Sequence, residues 1–236
     1  MNLKNWMKWV CFLAIIGVIQ FLFFFTIAMF FYPGGTWIDP NTKGYSFWSN
    51  FFSDLLMITS HSGESNLISF FITAPSLLFM GILIILSSIA ISFLFAEIKA
   101  RKFLIVIGSF FGIIGGTFAI AVAFLPADLN LLEHYFIAII MYLSFLFYSI
   151  FIAIEILLQK SYSDKYAIPL VIFDVIFVVY LILVIPISST PGIYTPQTLL
   201  IACTGQKILA YAQMISFGLL FYSAWEKFKS LEVITK

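Results

Sequence analysis

Two charged residues of this chain, Asp174 and Lys207, fall deep inside long apolar runs, and a set of polar residues, Asn50, Ser53, Asp54, Asp128 and His134, falls between such runs or at their edges. A charge at the middle of a bilayer costs at least ~2.5 to 3.5 kcal/mol, so each one needs a partner or a task. Counting helical rise from the nearer polar flank puts Asp174 ~12 Å deep from one side and Lys207 ~14 Å deep from the other. In a hydrocarbon core of roughly 30 Å their heights then differ by only ~4 Å, which a lysine stem spans. The expectation is a buried ion pair, direct or through water, serving as structural glue or as a proton or ion relay. Lys207 has a second route open to it: snorkelling along its stem to meet acids at the outer surface.

Acids are plentiful on that side. Asp54, Glu64, Asp128 and Glu133 lie there with both histidines of the chain, His61 and His134. Carboxylates beside imidazoles do general acid and base chemistry or hold Zn2+. No H-E-x-x-H, H-x-x-x-H or G-x-S-x-G pattern is present, however, and the adjacent Glu133 and His134 diverge by roughly 100 degrees on a helix. Asn130 and His134, four apart, share a face. No metal and no cofactor is expected, and His134 reads as a hydrogen-bonded residue at the mouth of a helix bundle. Asp128, after Leu125-Pro126-Ala127, is expected to cap the helix that follows. Glu155 reads as a wetted interfacial acid near Gln159 and Lys160, and Gln20 as an interhelical hydrogen bonder.

The elements that must position these residues are set by composition. Of 236 residues 62% are hydrophobic and 10% charged, against roughly 25% charged in a soluble domain. A water-soluble globule is excluded. A net charge of +1 leaves no electrostatic excess for nucleic acid. Cys11 and Cys203 sit within apolar runs and read as small core residues. Apolar runs long enough to cross a bilayer cover residues 10–31, 67–95, 103–125, 131–158, 167–187 and 198–225, giving six helices in a single all-α, polytopic integral membrane domain over 1–236. The second, fourth and sixth exceed the minimum and require tilt or extension past the hydrocarbon. The first is too long for a signal-peptide h-region and ends in Phe30-Phe31-Tyr32-Pro33, so it is expected to be a retained helix.

Lys4, Lys8, Lys99, Arg101, Lys102, Lys160, Lys165, Lys227, Lys229 and Lys236 all flank the same ends of these runs, whereas the opposite loops carry Lys43 alone. The positive-inside bias therefore predicts cytoplasmic N and C termini in a plasma or cytoplasmic membrane, and an even number of spans agrees with it.

The longest connection, the outer loop 32–66, has turn signals at Pro33, Gly34, Gly35, Pro40 and Gly44. Over 45–59, Trp48, Phe51, Phe52, Leu55 and Leu56 follow helical spacing with polar residues opposite, predicting an amphipathic helix at the outer interface, with Trp37, Tyr45 and Trp48 in the headgroup zone. A bare cover for the bundle is the alternative role of this loop. Gly108, Gly112 and Gly116 recur every four residues and predict a close helix approach.

Gly44-Tyr45-Ser46 to Asn50 with Phe52-Ser53-Asp54-Leu55 resembles the outer-loop signature of the domain-of-unknown-function 998 family of six-helix membrane proteins. Phe124-Leu125-Pro126-Ala127-Asp128 and His134 resemble that family's proline-aspartate turn and fourth-helix histidine, and Gly205-Gln206-Lys207-Ile208 its last-helix Gly-x-x-Arg segment. Leu56 stands where a glycine is expected, and Lys207 in place of arginine removes bidentate geometry. The layout is also similar to the distant Frag/DRAM/Sfk group, which includes the DRAM autophagy modulators and the GPI-lipid remodelling protein. The resemblance implies an outer polar cluster of Asn50, Ser53, Asp54, Asp128, His134 and Lys207. By analogy with the distant group it also implies lipid handling at the outer leaflet.

The leading expectation is a noncatalytic protein that binds or organises membrane lipid through that cluster. Two others stand beside it: an intramembrane lipid hydrolase or transferase using His134 with Asp54 or Asp128, and a small proton-coupled transporter using Asp174 and Lys207. No feature singles out a protein partner. For the topology, alkaline phosphatase inserted at Lys43 is expected to be active and the same reporter at the C terminus inactive. The reverse pattern would overturn the orientation.

Overall fold

Hydrocarbon offers a backbone no water to bond, so apolar runs of this length close their hydrogen bonds internally as helices. The computed structural model describes residues 3–98, 101–184 and 194–234. Among them are six long helices: α1 (Leu3–Met29), α2 (Leu67–Glu97), α3 (Lys102–Phe124), α4 (Leu131–Leu158), α5 (Ile168–Val184) and α6 (Pro196–Ile234). Short 3-10 helices occupy Phe52–Leu56 and Asp164–Tyr166. No strand forms among the described residues, only the isolated antiparallel bridges Gly34–Lys43 and Thr59–Ser65. Six segments are long and apolar enough to cross a membrane, as the hydropathy predicts. Lys99, Lys236 and Ile187, the expected end of the fifth span, lie outside the described residues.

The helix ends extend past the expected spans. α1 begins seven residues before residue 10 because its polar first turns gain a partner: Lys4 Nζ lies 3.0 Å from Glu97 Oε2 at the end of α2. α6 has 39 residues, about 58 Å of helix, far more than a hydrocarbon core of roughly 30 Å requires. Its projecting end is tied to the α4–α5 turn, where Lys227 donates to Ser161 O at 2.9 Å and the Tyr162 hydroxyl lies 2.7 Å from Ser223 Oγ.

Helices adjacent in sequence pack side by side, and α6 returns against α1 to close the ring. Inside it, Phe217 of α6 meets Phe145 and Tyr148 of α4 edge-on, with centroids 5.5 Å away in both cases, and Phe173 of α5 at 6.0 Å. The expected bond from Gln20 is present: its Nε2 donates across to Ser76 O of α2 at 3.0 Å. Cys11 and Cys203 are free and buried.

The glycine series divides between two partners. A Cβ at Gly116 would lie 2.7 Å from Gly81 O and one at Gly81 2.8 Å from Gly116 O, so α2 and α3 touch backbone to backbone there. Gly112 faces Ser88 and Tyr148, and Gly108 faces Phe151 and Ile152 of α4. A four-residue repeat overshoots a full turn by about 40 degrees per step, which carries the glycine row from α4 round to α2.

Two expectations are corrected. Over 45–59 there is no continuous amphipathic helix. The segment is a series of turns and one 3-10 helix, folded inward so that Asn50, Phe51, Phe52, Asp54, Leu55, Leu56 and Met57 are all buried. The reason is local competition: the Asp54 carboxylate takes the Phe51 N–H at 2.9 Å, a side chain replacing a helical carbonyl. Glu155 is not a wetted acid but 0% exposed. Its Oε1 accepts the Arg101 N–H at 3.0 Å, capping the start of α3, while Gln159 Nε2 donates to Ile98 O at 2.7 Å.

Gly116→Val is expected to force α2 from α3 and to cost ~1–3 kcal/mol, read as a lower thermal midpoint in detergent. At Gly218 a Cβ meets nothing nearer than 3.5 Å, so Gly218→Ala should melt as the wild type does. Equal midpoints for the two variants would show that the α2–α3 seam has slack.

Candidate functional site

The loop joining α1 to α2 turns back over one end of the ring. Gly35, with φ +81°, is required at the fold-back, since a Cβ there would lie 2.2 Å from Ser62 N. Behind it the buried Asp54, 2% exposed, organises the descending segment. Its Oδ2 accepts from Asn50 Nδ2 and from Phe51 N, both at 2.9 Å. His61 Nε2 stands 3.3 Å from its Oδ1, close enough for an ion pair but off the angle of a hydrogen bond. Asn50 closes the turn from both ends, accepting from Ser46 N at 2.9 Å and donating to Gly35 O at 2.9 Å. Burial foremost, then the Asp54 charge, pushes the Tyr45 hydroxyl well above its ordinary titration range. Tyr45 thus stays a donor, bonding Phe51 O at 3.0 Å.

Helices hold this plug from beneath. Lys207, 1% exposed, donates to Asn50 O and, at 3.3 Å, to Cys203 O. Its ammonium faces the rings of Tyr45, Phe47 and Phe52, with centroids at 5.4, 5.1 and 5.8 Å. Gln206 Oε1 accepts the Phe52 N–H at 2.8 Å. Asn66 Nδ2 donates to Met57 O at 2.8 Å and Thr73 to Leu55 O at 3.0 Å. Asp128 does not cap α4, whose N-cap is Asn130, accepting from Glu133 N at 3.2 Å. The Asp128 carboxylate instead takes the amides of Ile58 and Thr59 at 3.1 and 2.9 Å, because the loop brings two unpaired N–H groups within reach.

The expected Asp174–Lys207 ion pair does not form. Lys207 reaches up to the loop carbonyls, while Asp174 lies beside Ser149 of α4 and its Oδ1 is buried without a partner among the described residues. Depth along the two helices brought them level. Rotation about the helix axes aims them at different neighbours.

Of the predicted cluster, Asn50, Asp54 and Lys207 are thus joined directly, and Asp128 grips the same loop further along. Ser53 and His134 face a different space, a cavity of about 70 Å³ at the bundle centre beneath the plug. Its walls are apolar apart from Ser53, His134, Tyr142, Gln206 and Gln213, and no Asp, Glu, Lys or Arg lines it. His134, 2% exposed, has Nδ1 2.7 Å from Leu125 O. A carbonyl only accepts, so Nδ1 carries the proton and the neutral ring leaves a lone pair on Nε2. No described residue bonds that nitrogen. Gln213 is 3% exposed, and its amide has no hydrogen-bond partner among the described residues. The sequence reading missed Gln213 and Tyr142. The available signal was spacing: Gln206 and Gln213 are seven apart in an apolar helix and so share a face. No three His, Cys, Asp or Glu side chains among the described residues gather closely enough to hold a metal ion.

Comparison with protein-family models, curated proteins and solved structures returns no match for this chain. The fold defines its class: a multi-pass integral membrane protein, with six helices among the described residues able to span and one loop sealing an end of the helix ring.

Asp54→Ala would strand the Asn50 and Phe51 donors, at ~1–3 kcal/mol for each buried group left unpaired. Hydrogen exchange is expected to quicken over 44–58 while α2 and α3 stay protected. Unchanged exchange in that loop would show that the carboxylate does not hold it.

Proposed function

We propose that this protein binds an amphiphilic membrane lipid at its loop end, with the polar end of the lipid beneath the plug and no covalent chemistry performed on it. The observation that carries this reading is the central cavity: apolar walls with a few convergent polar groups, the usual make-up of a site for a small amphiphile. At about 70 Å³ the cavity takes the head of a ligand, and the chain behind it must displace neighbours. Met80, Met141 and Met214 line the deeper wall, and methionine repacks readily around irregular shapes. A noncatalytic role is favoured because Asp54 and Asp128, the acids available for catalysis, are both bound to backbone amides. Transport through an Asp174–Lys207 relay loses its motivation with the pair.

In the same reading the loop end faces away from the cytoplasm of a plasma or cytoplasmic membrane, as the concentration of basic residues at the opposite helix ends supports. Kinship with the domain-of-unknown-function 998 family belongs to it too. What supports that kinship is that the Asn50–Asp54 loop segment and Lys207, from two of the three matching stretches, share one hydrogen-bonded unit.

Native mass spectrometry of protein extracted in mild detergent is expected to show about one retained lipid. Ala210→Phe, which fills the cavity from α6, should release it. A lipid-free wild type, or equal retention by the variant, would refute the site.

A further inference from the structure

We infer that the head this cavity accepts is uncharged and carries a hydroxyl group, as in the hydroxymethyl of a monoacylglycerol or a long-chain alcohol. The inference rests on the lipid-binding reading above and specifies its ligand.

Charge is the first constraint. The ionised groups near the loop end are already committed: Lys207 to the Asn50 and Cys203 carbonyls, Asp54 to Asn50 and Phe51, Asp128 to Ile58 and Thr59. None lines the cavity. A carboxylate, phosphate or ammonium placed there would lose its water and meet no opposite charge, the least favourable way to bury an ion.

The second constraint is which hydrogen bonds remain unspent. His134 Nε2 offers a lone pair and needs a donor, because its other nitrogen is bound to Leu125 O. The Gln213 amide offers both a donor and an acceptor, as does the Ser53 hydroxyl, and neither has a protein partner among the described residues. A hydroxyl gives one proton and accepts through two lone pairs. Donating to His134 and accepting from Gln213, which line the same cavity, would use both. A carboxylate or a fully ionised phosphate monoester could take the Gln213 and Ser53 donors but has no proton for His134 Nε2, and a quaternary ammonium has none to give either.

The test compares four ligands with the same oleoyl or oleyl chain, titrated into the purified protein in one detergent and read by thermal midpoint and by native mass spectrometry. They are monooleoylglycerol, oleyl alcohol, oleate and oleoyl lysophosphatidate. At least one of the two uncharged hydroxyl ligands is expected to bind ten or more times tighter than either anion, and which of them does so identifies the source. Gln213→Met, close in volume, is expected to reduce that preference to less than about threefold. Ser53→Ala serves the same purpose if Gln213→Met does not fold. Anions binding as well as the uncharged ligands would overturn the headgroup assignment and leave the lipid site standing. Failure of all four to bind would remove the lipid site itself.

Discussion

The loop end of this protein depends on a buried ammonium that has no carboxylate bonded to it. Lys207 is satisfied by two backbone carbonyls and ringed by Tyr45, Phe47 and Phe52, with Asp54 one residue away through Asn50. Burying an ion is unfavourable unless its surroundings replace the water it leaves. Here the replacement is assembled from pieces far apart in sequence, so the charge stays compatible with its site only while the loop is folded onto α6. That coupling explains why a polar, glycine-containing segment folds inward over one end of a ring of apolar helices.

Once the loop is seated, the polar residues divide by what they have left to offer. Asp54, Asp128 and Asn50 have their main bonding capacity taken up by backbone groups of the loop, and Glu155 does the same work for α3 at the other end of the bundle. His134, Ser53 and Gln213 retain capacity and border open space. The charged groups hold the fold and the neutral ones face the cavity. The candidate site therefore differs from the one that residue type alone suggests, in which acids and histidine would cooperate.

Hydropathy made the spans legible because transfer into hydrocarbon sums along the chain and needs no knowledge of neighbours. Gln20 was readable for a related reason: an amide inside a long apolar helix has few other options. The glycine series announced close packing but not with which helix, since a four-residue repeat drifts around the axis and the partner changes from Phe151 and Ile152 to Gly81 along it. The loop pattern over 45–59 carried a helical signature that Asp54 overrode by capturing a local amide. Asp128 and Glu155 looked like ordinary helix-end and interfacial acids, because nothing local shows that distant N–H groups will be delivered to them.

From the chain of residues alone came the number of helices, their approximate extents, the long loop as the place of interest and most of the residues that build it. Tertiary structure decided the pairings: Lys207 with Asn50 rather than Asp174, Asp128 with Ile58 and Thr59, His134 and Gln213 around one cavity. The division has a single physical cause. Depth in a membrane follows from position along one helix, whereas contact depends on rotation about that axis and on how a loop returns, and these are settled only when all the helices pack at once.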